Sequence, residues 1–85
     1  MTKEQVNQWM DLGLEIQFEY DGKGYYMSPI WDESKAKVGI YFCEDYQNDP
    51  VEAKDVDDLW ESAYRGSSVG AILDSVPEDR VDGLI

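Results

Sequence analysis

The sequence predicts an α+β fold: an N-terminal helix, a three-stranded antiparallel meander, then one or two C-terminal helices. Three observations carry that expectation. Apolar residues recur with a helical period near both ends of the chain and alternate with a period of two between them. An Asp21-Gly22 pair lies inside the alternating part, where a type I′ hairpin turn needs positive φ at both central residues. Hydrophobic residues make up 42% of the chain and aromatics 13%, a core that disordered acidic segments lack. At 85 residues and 9.8 kDa the chain reads as one domain, residues 1–85. Folded, it should expose about 5,200 Å².

The first helix is expected over residues 2–12. Thr2 and Gln5 have capping-box spacing, Val6, Trp9 and Met10 share one face, and Gly13 supplies a left-handed stop. Leu14, Ile16, Phe18 and Tyr20 then alternate with Glu15, Gln17 and Glu19. With Asp21-Gly22 as a two-residue loop, Phe18 faces Tyr25 and Ile16 faces Met27, while Gln17 meets Tyr26 on the other side. A slip of one residue would mix apolar and polar faces, which favours this register over the four-residue Asp21–Gly24 loop that Gly24 leaves as the alternative. A third strand follows the Asp32-Glu33-Ser34-Lys35 turn, with Val38, Ile40 and Phe42 on the core face. The polar run from Glu44 to Pro50 reads as a loop.

The second helix is capped by Asp55, with Asp57 and Asp58 against the positive end of its dipole. Val56, Leu59, Trp60, Ala63 and Tyr64 form its apolar stripe, Arg65 lies near its negative end, and Gly66 stops it. A shorter helix over residues 68–75 buries Val69, Ile72 and Leu73 before Pro77. Residues 78–85 show no period. The helices should cover the face of Leu14, Ile16, Phe18, Met27, Val38 and Ile40. The opposite face, with Glu15, Gln17, Glu19, Tyr26 and Tyr41, should be left for solvent or a partner.

Composition narrows the function. Nineteen acids against seven Lys and Arg give a net charge of −12, and there is no histidine. Phosphate neutralisation needs clustered Lys and Arg, so direct nucleic-acid binding is excluded, and an anionic membrane surface is disfavoured for the same reason. No imidazole is available for base catalysis and no Cys/His set for zinc, so neither an enzyme nor a cofactor is expected. Gly66-Ser67-Ser68-Val69-Gly70 matches a nucleophile elbow only by spelling: a helix is expected before it, and the triad has no histidine. It reads instead as a helix break with a serine cap. EF-hand spacing fails from Asp45, where Pro50 and Val56 fall at positions six and twelve, and from Asp55, where Trp60 and Gly66 do. Paired carboxylates without an orienting group and without cleft walls say little about glycoside hydrolysis. Met1-Thr2-Lys3-Glu4 opens without an apolar run, so neither a signal peptide nor a membrane span is expected. The lone Cys43 suits a reducing cytosol.

The charge is unevenly placed. Glu44, Asp45, Asp49, Glu52, Asp55, Asp57, Asp58 and Glu61 fall within 18 residues opposed only by Lys54. Capping and solubility account for part of this, but solubility of a small domain needs a net charge of only about 2–8 in magnitude. Such a segment can stand in for a phosphate backbone and occupy the groove a nucleic-acid-binding protein lines with Lys and Arg. Exposed aromatics would add anchors: Tyr26, Trp31, Tyr41 and Tyr46 are the candidates.

In size, charge, the acidic 44–61 stretch and its lack of catalytic residues, the chain resembles small acidic proteins of phages and mobile elements. It is most similar in character to the anti-CRISPR inhibitors, several of which are acidic α+β proteins occupying a nuclease's DNA-binding surface. Phe18-Glu19-Tyr20-Asp21-Gly22-Lys23-Gly24-Tyr25 also resembles hairpins of prophage proteins. The resemblance implies an inhibitor, monomer or homodimer, acting in the cytoplasm of a bacterial host on a basic nucleic-acid-handling protein such as a CRISPR effector nuclease. Two other readings stand beside it: a structural or adaptor domain working through the sheet face or edge, and an antitoxin or immunity protein against a nuclease.

Overall fold

The computed structural model describes residues 1–82. Helix α1 (Lys3–Asp11) leads into strands β1 (Ile16–Tyr20), β2 (Lys23–Trp31), β3 (Lys37–Glu44) and β4 (Asn48–Ala53). Helix α2 (Val56–Glu61), a small hairpin of β5 (Ala63–Tyr64) and β6 (Ser67–Ser68), helix α3 (Val69–Ser75) and strand β7 (Val81–Asp82) follow. The main sheet has the order β4-β3-β2-β1-β7, antiparallel throughout. The α+β class therefore holds, with five strands in the sheet rather than three.

Local sequence explains most boundaries. Thr2 caps α1 through a complete capping box with Gln5. Asp21 and Gly22, at φ 52° and 75°, close the β1–β2 turn in the register expected: Ile16 opposite Met27, Gln17 opposite Tyr26, Phe18 opposite Tyr25. Asp32 shapes the β2–β3 turn by accepting hydrogen bonds from Ser34 N at 2.8 Å, Ser34 Oγ at 2.6 Å and Ala36 N at 3.1 Å. Asp55 caps α2 and Ser68 caps α3. Ser68 Oγ thus accepts from Ala71 N, which fits the reading of the Gly66–Gly70 motif as a cap.

Four expectations are corrected. Within the stretch read as a loop from Glu44 to Pro50, Glu44 ends β3, Asp45–Gln47 forms a tight turn with left-handed backbone at Tyr46 and Gln47, and β4 starts at Asn48. Helix α2 stops at Glu61; Ala63 and Tyr64 lie in β5, and Arg65-Gly66 is a hairpin turn at φ 49° and 80° rather than a helix end. Tyr64 nonetheless reaches the core. Val38, placed in the core by its parity with Ile40, is 52% exposed, near the register shift opposite Ile30 and Trp31. Part of the aperiodic tail forms β7 against β1, while residues 83–85 lie outside the described residues.

All three helices share one core with a single face of the sheet. Val6, Trp9 and Met10 of α1, Val56 and Leu59 of α2, and Val69, Ile72 and Leu73 of α3 meet Ile16, Phe18, Tyr25, Met27, Ile40 and Phe42. Phe18, Tyr25 and Phe42 stack in series at 5.5 and 5.6 Å, and Tyr64 meets Phe42 edge-on at 5.2 Å. Met1 is buried, and its nitrogen donates to the carbonyls of Leu73, at 2.9 Å, and Val76. The exposed area, 5239 Å², matches the expectation for this mass.

Candidate interaction surface

Alternation along the strands sends a second set of side chains to the uncovered face of the sheet. Cross-strand pairing lines up Asp82, Gln17, Tyr26 and Cys43 in one row, and Ser28, Tyr41 and Glu52 in the next. The turn after β3 folds over the first row. Tyr46 and Gln47 both adopt left-handed backbone, at φ 66° and 61°, a conformation costly for side chains of this size. Asp45 lays its carboxyl directly above Gly24: a Cβ there would stand 1.9 Å from Oδ2.

The result is a shallow depression of about 370 Å³. Tyr26, Tyr41, Tyr46, Gln17, Asp45 and Gln47 line it, and the buried Cys43 thiol forms part of it. Burial pushes the Tyr26 phenol above its ordinary range, and the Glu15 carboxylate adds to the rise. Burial likewise raises Tyr41 and Cys43, the latter despite the Tyr41 hydroxyl beside it. Cys43 is thus an enclosed thiol whose burial disfavours the thiolate.

The eight acids of residues 44–61 do not form one surface. Asp45 and Glu52 belong to the open face, opposite Gly24 and Tyr41 respectively. Glu44 and Asp49 grip Arg65 at the rim of the core face: Nη2 donates to Glu44 Oε2 at 2.8 Å, and Nε donates to Asp49 Oδ2 at 2.8 Å. The guanidinium also lies 5.2 Å from the centroid of the Tyr64 ring. Glu44 and Asp49 hold Arg65 above its ordinary pKa, and in return Arg65 holds Glu44 below the usual carboxylate range. Asp55, Asp57, Asp58 and Glu61 stand with α2 in the helical layer. Asp55 is the cap, Asp58 accepts from Lys54 N at 3.1 Å, and Asp57 pairs with Lys3 at 3.3 Å. Glu61 is exposed at the end of α2.

Of the aromatic candidates, Tyr46 is 96% exposed and Trp31 48%; Tyr26 and Tyr41 are half-buried on the open face. Trp31 lies at another place, its ring 3.3 Å from where a Cβ on Gly13 would be. Sequence reasoning missed Gln47 and Asp82 as members of the face, and Arg65 as the clamp of the neighbouring rim. Gln47 and Arg65 carry no sequence signal for left-handed backbone, and β7 is too short to have a period.

Several bases are engaged by acids: Lys23 with Glu44 at 4.0 Å, Lys37 with Asp11, and Arg65 as described. Among the described residues no three His, Cys, Asp or Glu side chains converge as metal ligands, and no helix is long and apolar enough to cross a membrane. Comparison with protein-family models, with curated proteins and with solved structures finds no match.

Proposed function

We propose that this chain is a non-catalytic inhibitor that binds a basic, nucleic-acid-handling protein in the bacterial cytoplasm and covers its nucleic-acid-binding surface, a CRISPR effector nuclease being one such target. One observation carries the reading: the uncovered sheet face sets Tyr26, Tyr41 and Tyr46 among Asp45, Glu52 and Asp82, while neighbouring bases are tied to carboxylates. Acidic fields speed encounter with a basic groove, and tyrosines supply the desolvated contacts that hold it. The acids of α2 extend the negative surface on the other layer, although Asp55 and Asp58 also have structural duties. An immunity protein against a toxic nuclease would use the same surface.

Titrating the protein against candidate nucleases over rising salt tests this. Inhibition should weaken steeply with salt, and the double reversal Asp45→Lys with Glu52→Lys should abolish it. The Asp57→Lys, Asp58→Lys and Glu61→Lys reversal measures the contribution of α2 separately. Inhibition that survives both sets would sink the reading.

One observation favours an adaptor role instead. Leu12, Trp31 and Val38 expose apolar surface, at 66%, 48% and 52%. Self-association by light scattering, insensitive to salt, would support that alternative.

A further inference from the structure

The depression on the open face has a chemistry more specific than negative charge. Its walls offer three tyrosine rings, one carboxylate at Asp45 and two amide oxygens at Gln17 and Gln47, and among the described residues no Lys or Arg lines it. We propose that it seats an arginine side chain of the partner protein, with the guanidinium against the tyrosine rings and its N–H groups donating to Asp45 and the glutamine amides. This deepens the reading given under Proposed function and rests on it.

Three arguments select arginine. A guanidinium is planar, so it stacks on aromatic faces, and its five donors match several acceptors at once. A lysine ammonium is compact and strongly hydrated, and would lose more on entering a half-buried depression. The protein already seats one guanidinium in this manner: Arg65 lies over the Tyr64 ring and donates to two carboxylates. The depression repeats that combination of ring and carboxylate for a group from outside. At about 370 Å³ it lies near the lower limit of ligand pockets, which suits one side chain better than a cofactor. The Asp45 carboxylate lies directly above Gly24, with no ion pair to a Lys or Arg among the described residues, and Tyr46 stands exposed at the margin.

The test uses the full chain and two nonapeptides of equal charge, one alternating arginine with glycine and the other lysine with glycine. The arginine peptide should bind about tenfold more tightly, as cation–π and bidentate contacts favour the planar group. Amide shifts should map to Gln17, Tyr26, Tyr41 and Gln47. Asp45→Asn and Tyr46→Asn should each reduce the preference to within about twofold; asparagine suits the left-handed backbone at position 46, so that variant keeps the fold and decides the matter alone if the other is unstable. Equal affinity for the two peptides, a preference retained in Tyr46→Asn, or shifts confined to α2 would overturn the seat. Equal affinities beside salt-sensitive inhibition of a nuclease remove the arginine seat and leave the broader reading intact. An arginine preference with no binding to the nucleases titrated does the reverse.

Discussion

Arg65 shows how one side chain can join three parts of a small protein. It sits in the β5–β6 turn, lies over Tyr64 of β5, and reaches Glu44 at the end of β3 and Asp49 in β4. Because Arg65 depresses the Glu44 pKa, their pairing contributes stability above the ordinary carboxylate range and loses it as pH falls through the folded-state value. Arg65→Ala should therefore lower the melting temperature at pH 7 by a few degrees, and the gap to the parent should narrow as pH falls below the ordinary carboxylate range. Thermal melts across pH 3–7 would check this; a gap that is constant with pH would assign the loss to packing on Tyr64 instead. The sequence marked Arg65 as a cation near a helix end. Its actual role depends on left-handed backbone at φ 49°, for which arginine gives no local cue.

Turns and caps made the first half of the chain legible at the level of elements. Asp21-Gly22 and the alternation on either side fixed a hairpin register that the structure reproduces pair by pair. Strand β4 escaped notice because Asn48, Asp49 and Pro50 look like breakers; an edge strand tolerates proline, since one side of its backbone has no neighbour to bond. The α2 stripe was read through Tyr64 because the tyrosine does reach the core, but by way of a hairpin. Helix packing has its own sharp determinant in Gly70 of α3. A Cβ there would stand 2.3 Å from Trp60 Cδ1 and 2.6 Å from the Trp60 carbonyl oxygen, and the backbone cannot step aside as a side chain could. Gly70→Ala should cost about 1–3 kcal/mol in denaturant unfolding, the usual penalty of overpacking. A neutral result would mean that α2 and α3 can slide apart freely.

For the whole molecule, a net charge of −12 on 85 residues sets self-repulsion against the ion pairs that tie Lys3, Lys23, Lys37 and Arg65. Repulsion involves many more charges than pairing does, so screening should stabilise. Raising sodium chloride from about 10 mM to about 0.5 M shrinks the screening length from about 30 Å to a few ångströms and should raise the melting temperature by several degrees. A fall would show that the pairs dominate. The one-sided cover of the sheet has a further consequence, for inheritance. In β1, β2 and β3 adjacent residues answer to different constraints: Ile16, Phe18, Tyr25, Met27, Ile40 and Phe42 to the helices, Gln17, Tyr26 and Tyr41 to the outer face. Substitutions at Gln17, Tyr26 and Tyr41 can thus accumulate without touching the residues that keep the fold, whereas Cys43, on the same outer row, is buried and bound by packing.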